Sequence, residues 1–158
     1  MVKKKNLEWP DCSEAVVREH LSGIVTEWFT ADTLVFLEGE MGAGKSTLAR
    51  IVIEALCPGA VSHGSPTFPL VQTYLTLTGM PVYHIDLYRL RDPSELEDSG
   101  ILEQFEEKGC LVLVEWGSLF KDVLRVYLES PGKVGKKSLH IRIDSEGAEN
   151  LRTYRIRT

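Results

Sequence analysis

Between residues 11 and 29 the apolar positions Val17, Leu21, Ile24, Val25 and Trp28 recur at i, i+4, i+7, i+8 and i+11. That spacing lines one face of an α-helix and predicts one here, with Asp11 or Ser13 as its N-cap. The pattern then changes. Residues 33–37, Thr-Leu-Val-Phe-Leu, are almost wholly apolar, as expected of a strand buried on both faces. Glycines follow at 39, 42 and 44, and a helical pattern runs from Ser46 until Pro58 and Gly59 stop it. Strand, glycine loop and helix in this order open an α/β nucleotide-binding fold.

Residues 61–69 hold Gly64, Pro66 and Pro69 and read as an irregular loop. Residues 70–77 and 82–86 read as two strands joined by a tight return, hence antiparallel. Asp92 and Pro93 start a short helix with Pro at its first position, and a second helix spans 101–108, ended by Gly109. Residues 110–114, Cys-Leu-Val-Leu-Val, form the other strongly buried strand, with Glu115 and Trp116 at its carboxyl end. Residues 118–128 are helical by pattern, with part-strand character open. Leu139, Ile141 and Ile143 alternate with polar residues, as do Tyr154 and Ile156, so a terminal hairpin is expected over about 138–157. The stretch 131–137 reads as a surface loop. The expectation is one α/β domain over 1–158: a mixed, mostly parallel sheet flanked by helices, with antiparallel hairpins.

Composition narrows the classes. The 158 residues carry 18 Lys+Arg and 23 Asp+Glu, a net charge of −5, which argues against free-standing electrostatic grip on nucleic acid. Cys12, Cys57 and Cys110 show no ligand spacing, so buried thiols in a reducing compartment are expected rather than zinc or disulfides. The basic start is followed by Asn6, Glu8 and Asp11 instead of an apolar core, and no run reaches the roughly 18 apolar residues of a membrane span. The reading is a soluble, cytoplasmic protein.

Gly39-Glu40-Met41-Gly42-Ala43-Gly44-Lys45-Ser46 matches G-x-x-x-x-G-K-[ST] at every fixed position. Glycine-rich backbone lets successive N–H groups point inward as an anion nest, and the following helix N-terminus adds partial positive charge. Lys45 then reaches β- and γ-phosphates, and the Ser46 hydroxyl serves Mg²⁺. Such a loop needs an acid at the end of a neighbouring buried strand. Glu115 is the first candidate for it, and Asp86 faces the same cleft or caps the segment after its strand. His84 shares a strand face with Asp86 and reads as structural or catalytic. Trp116 stacks on a base or plugs the core, and Arg89 and Arg91 form a solvated or partner-facing pair or supply an arginine finger.

Four strings occur in order: the loop 39–47, Ser65-Pro66-Thr67-Phe68, Tyr83-His84-Ile85-Asp86-Leu87-Tyr88-Arg89-Leu90, and Val114-Glu115-Trp116. Together they resemble the bacterial ATPase family TsaE (also called YjeE), which serves synthesis of threonylcarbamoyladenosine in tRNA. The His-x-Asp-Leu-Tyr-Arg-Leu string with the Glu-Trp strand end makes the match specific. The resemblance implies ATP and Mg²⁺ as cofactors, and the partner proteins TsaB and TsaD, with tRNA reached only through them and no DNA or membrane contact. It implies nucleotide contacts along Glu40, Met41, Gly42, Ala43, Gly44, Lys45, Ser46 and Thr47, metal binding at Ser46 and Glu115, and Asp86 near the γ-phosphate. It also implies a switch-like segment around Thr67, and adenine near Ser13. Two departures stand out: Glu-Trp is followed by Gly117-Ser118 where Pro-Glu is common in the family, and residues 121–137 run longer than usual.

The expected function is therefore a partner-stimulated ATPase, weak alone, with Lys45, Asp86 and Glu115 carrying the chemistry and Asp86 or Glu115 orienting the attacking water. A P-loop small-molecule kinase and a non-hydrolysing, nucleotide-switched interaction module are the alternatives. A GTPase would require an Asn-Lys-x-Asp string, which the chain lacks.

Overall fold

The two apolar runs, Thr33–Glu38 and Leu111–Glu115, pair in parallel in the interior of the sheet, Leu34 opposite Val112 and Phe36 opposite Val114. Every side chain of the second run is buried, as a strand covered on both faces requires. The structure is a computed structural model and describes residues 6–60, 70–129, 135–145 and 149–158. In chain order these form β1 (Asn6–Cys12), α1 (Glu14–Ser22), α2 (Val25–Trp28), β2 (Thr33–Glu38), α3 (Lys45–Leu56), β3 (Val71–Leu75), β4 (Pro81–Asp86), α4 (Pro93–Asp98), α5 (Leu102–Glu106), β5 (Leu111–Glu115), a 3₁₀ turn (Gly117–Phe120), α6 (Lys121–Glu129), β6 (Lys137–Asp144) and β7 (Arg152–Arg157).

The sheet order is β1-β7-β6-β2-β5-β4-β3. The four central strands β6, β2, β5 and β4 run parallel, while β7 and β1 at one edge and β3 at the other are antiparallel to their neighbours. This is the mixed α/β sheet that the hydrophobic pattern predicts. Alternate residues of β2 and β5 enter opposite cores, as the two-residue period of a strand dictates. Val35, Leu37, Leu111 and Leu113 meet Val17, Leu21, Leu48 and Val52 on the side of α1 and α3. Leu34, Phe36, Val112 and Val114 meet Leu96, Phe105, Phe120 and Leu124 on the other. Each such side chain contributes about 1.5–3 kcal/mol on burial. All three cysteines are buried free thiols, as expected. No helix among the described residues is long and apolar enough to cross a membrane.

Two local expectations are corrected, and one choice left open is settled. The helix predicted over 11–29 is preceded by a strand and broken in two. β1 occupies Asn6–Cys12, tolerates Pro10 because it is an edge strand, and ends in a register shift between Trp9 and Cys12, with Asp11 at φ 49°. Ser13, not Asp11, caps α1, its side chain accepting from Val16 N. At the break, the Ser22 hydroxyl donates to the Glu19 carbonyl and Gly23 follows, both unfavourable to helix continuation. Finally, the 131–137 stretch is not all surface loop. Lys137 begins β6, and the Lys136 side chain is 3% exposed, its Nζ 3.1 Å from Cys110 Sγ and 3.8 Å from Asp32 Oδ1. Residues 130–134 lie outside the described residues.

The helices α1 and α3 are joined by a closed ring of ion pairs. Arg18 reaches Glu14 and Glu54 at 2.9 and 2.8 Å, and Arg50 reaches the same two acids at 2.9 and 3.1 Å. These groups are partly exposed, so each pair is worth at most about 1 kcal/mol.

Two outcomes are expected. Gly39 has φ 146°, and a Cβ there would lie 2.5 Å from the Ile143 carbonyl oxygen. Gly39→Ala should therefore lower stability by about 2 kcal/mol or more, read as a drop in melting temperature of at least several degrees. At high pH, Tyr154 and Tyr83 matter. Burial, aided by the neighbouring Cys12, pushes the Tyr154 hydroxyl up to about 12, and burial with a hydrogen bond to Glu107 does the same for Tyr83. A folded-state value above the unfolded value near 10 means the unfolded chain releases its proton first. Stability is complete below pH 10 and is lost between about 10 and 12, on the order of 2 kcal/mol for the buried Tyr154. Tyr154→Phe should flatten the fall of melting temperature across that window.

Candidate functional site

β2 ends at Glu38 and α3 begins at Lys45, so residues 39–44 make the whole turn between them. Gly44 caps the helix with φ 106°, a backbone state that a side chain would strain. The turn closes on itself, Ala43 N donating to Glu40 O at 3.1 Å. From the far side, Arg152 of β7 donates Nε to the Ala43 carbonyl at 3.1 Å.

Parallel register brings two acids to the same level. Glu115, 2% exposed, ends β5 opposite Leu37 of β2 on one side and Asp86 of β4 on the other. Asp86 is 8% exposed and accepts from Tyr88 N at 2.9 Å. Open α/β sheets bind ligands in the crevice at such carboxyl ends. Here the crevice is a cavity of about 220 Å³ bordered by Met41, Gly42, Gly44, Lys45, Ser46, Asp86, Tyr88, Glu115 and Trp116.

Glu115 accepts on both oxygens. Ser46 Oγ donates to Oε2 at 2.9 Å, and His84 Nε2 lies 2.7 Å from Oε1. Lys45 folds back on its own loop, donating Nζ to the carbonyls of Gly39 and Glu40, both at 2.7 Å. The Trp116 ring lies 3.8 Å from that ammonium, a cation–π contact. Trp116 has φ 62°, uncommon for a residue with a side chain, and its ring meets Tyr88 at 4.9 Å. Burial pushes the Lys45 amine below its ordinary value, and the nearby Glu115 and Asp86 pull it back up. The cavity thus holds one desolvated cation, two buried acids and a hydroxyl.

The residues singled out from sequence do not all converge. Met41, Gly42, Gly44, Lys45, Ser46, Asp86 and Glu115 border the cavity. Glu40, Ala43 and Thr47 belong to the same loop and helix without bordering it. Ser13 does not border the cavity, and its hydroxyl serves as the α1 cap. It connects to the loop through β7: Cys12 pairs with Arg152, which holds Ala43. Thr67 lies outside the described residues. Arg89 and Arg91 border a separate cleft beyond Tyr88, with Leu70 and Glu95.

Two contacts were not legible in the chain. Arg152 reads as one more cation on an alternating terminal strand, and nothing in its neighbours signals a loop 109 positions away. His84 was visible in the string His-x-Asp, but its contact with Glu115 depends on how β4 lies against β5.

Comparison with known proteins places this geometry in a family. The chain matches the family described as "Threonylcarbamoyl adenosine biosynthesis protein TsaE" over residues 7–153. Relatives named tRNA threonylcarbamoyladenosine biosynthesis protein TsaE include that of Rickettsia felis, 36% identical over 104 residues, which are 66% of this chain and 59% of the relative. The chain therefore spans about six-tenths of the Rickettsia relative's length. The Bacillus subtilis relative is 32% identical over 124 residues, covering 76% of this chain and 72% of its own. That of Streptomyces coelicolor is 35% identical over 126 residues, covering 74% and 82%. The crystal structure of Bacillus subtilis YdiB shares the fold, with a TM-score of 0.64 at 22% identity, across 100% of this chain and 88% of that one. The order of strings along the chain, the mixed sheet and the family match over nearly its whole length agree, and the chain belongs to the TsaE family of threonylcarbamoyl adenosine biosynthesis proteins.

Proposed function

We propose that this protein binds ATP with Mg²⁺ at the turn between β2 and α3 and hydrolyses it in support of tRNA threonylcarbamoyladenosine synthesis, in the cytoplasm, with TsaB and TsaD as partners. The observation that carries the reading is the 2.9 Å contact between Ser46 Oγ and Glu115 Oε2. A hydroxyl directly after the loop lysine and a buried acid ending the adjacent parallel strand are the pair that phosphoryl-transfer sites use for a metal. The names of the relatives support the pathway.

The donors fit Mg²⁺. They are hard oxygens, one carboxylate and one hydroxyl, which leaves the remaining positions for phosphate and water, as this ion prefers. When bound, Mg²⁺ supplies neutralisation of charge on the β- and γ-phosphate oxygens.

The chain's own groups do the rest by position. The loop amides and the α3 N-terminus form the anion cradle. Lys45 is held by two carbonyls and an indole face, and phosphate oxygens replace those weaker acceptors. Its partial desolvation strengthens that exchange, because an anion restores what burial costs the ammonium. Asp86, beside Glu115 on the next strand, orients the attacking water while Glu115 serves the metal. On this reading Ser13 borders the adenine and Thr67 belongs to a switch-like segment. Phosphoryl transfer asks chiefly for positioning and electrostatics. A group supplied by the partners therefore accounts for slow turnover alone and faster turnover in the complex.

The test is ATP turnover with Mg²⁺, alone and with purified TsaB and TsaD, for wild type and Glu115→Ala. Partner stimulation of the wild type, reduced about 100-fold or more by the substitution, is the expected result. Intact ATP binding without turnover in either condition would replace the ATPase with a nucleotide-switched module. ADP release only on adding a metabolite would replace it with a kinase.

A further inference from the structure

We infer that His84 is a positioning residue: its Nε2–H grips Glu115 Oε1 and leaves Oε2 as the oxygen presented to Ser46 and to a bound cation. The inference deepens the proposed function and rests on its assignment of Ser46 and Glu115 to Mg²⁺. It starts from an imbalance. His84 is 0% exposed, and only one of its two ring nitrogens has a hydrogen-bond partner among the described residues. Nε2 lies 2.7 Å from Glu115 Oε1, while Nδ1 is buried with none.

A histidine kept for packing would have both nitrogens satisfied, or would be replaced by an apolar side chain of similar volume at no cost in unmet polarity. The orphaned Nδ1 is the cost of placing one N–H donor beneath Glu115. The same asymmetry assigns the tautomer. Glu115 Oε2 accepts from Ser46, and among the described residues the hydrogen-bond partner of Oε1 is the ring, so the proton sits on Nε2. Nδ1 then carries a lone pair, and an unmet acceptor is the milder of the two buried defects.

Strand geometry makes the grip rigid. His84 and Asp86 project from the same face of β4, two residues apart, and lie opposite Leu113 and Glu115 of β5. His84 is therefore one step deeper in the sheet than the acid it holds, and Asp86 is level with it. With Oε1 engaged from below, rotation of the carboxylate about its last bond is blocked. Partners that orient a ligating group in this way typically change metal affinity by about 10- to 100-fold when removed.

The experiment measures ATP binding by calorimetry across Mg²⁺ concentrations, and in excess chelator, for wild type, His84→Leu and His84→Gln. Leucine keeps the volume and removes the donor, whereas glutamine restores an N–H at similar reach. The Leu variant should need about 10- to 100-fold more Mg²⁺ for half-maximal enhancement of ATP binding, with metal-free ATP binding unchanged, and the Gln variant should recover most of the loss. A Leu variant within twofold of wild type overturns the inference, as does a Gln variant as defective as Leu. Nitrogen-15 NMR of the wild type gives a check that needs no variant: His84 should be the Nε2–H tautomer, and an Nδ1–H tautomer overturns the assignment. Wild-type ATP binding that ignores Mg²⁺ overturns the proposed function as well, whereas Mg²⁺-dependent binding insensitive to His84→Leu overturns this inference alone.

Discussion

β2 and β5 pair in parallel with Leu37 opposite Glu115, and the site depends on that register. β2 delivers the glycine turn at its end, β5 delivers the acid at its own, and the two ends coincide because both strands run the same way through a core closed on both faces. A shift of one residue in β5 would turn Glu115 toward the opposite face and take its carboxylate away from Ser46. The apolar alternation that resists such a shift also places the chemistry. Val112 and Val114 face one core while Leu111 and Leu113 face the other, so slippage would exchange two well-packed sets at once.

Around Glu115 the structure concentrates polar groups that would be costly if unpaired. Ser46 and His84 each engage one carboxylate oxygen, Lys45 occupies two carbonyls of its own loop, and Tyr88 N donates to Asp86. These bonds give each of those polar groups a partner within the chain. Trp116 belongs to this arrangement: its left-handed backbone turns the chain out of β5 and lays the indole on the Lys45 ammonium. Gly117 follows where a Cβ would lie 2.8 Å from the Phe36 ring. Gly117 thus fits closely under β2.

Much of this was readable along the chain. The loop 39–46 announces itself because anion binding by backbone amides demands glycine at set positions, and the buried strands announce themselves because closure on both faces demands unbroken apolar runs. Ser46, Lys45, Asp86 and Glu115 follow from those two constraints and meet in one cavity. The ends of the chain were less legible. β1 was hidden by Pro10 and by the helical periodicity beginning nearby, since an edge strand with one partner needs little sequence signal of its own. Lys136 reads as loop because a long amphipathic side chain can enter the protein without changing the local pattern.

Local rules, then, were enough for the elements, their approximate limits and the candidate residues that border the cavity, because each is dictated by backbone geometry or burial within a few residues. Long-range pairing was needed for the rest. The contacts of His84 with Glu115, Arg152 with Ala43 and Lys136 with the start of β5 span 31, 109 and 26 positions. No local periodicity encodes which strand lies beside which. Which oxygen of Glu115 is gripped, where the Trp116 indole meets Lys45 and how α1 is tied to α3 are all decided by packing beyond the local pattern.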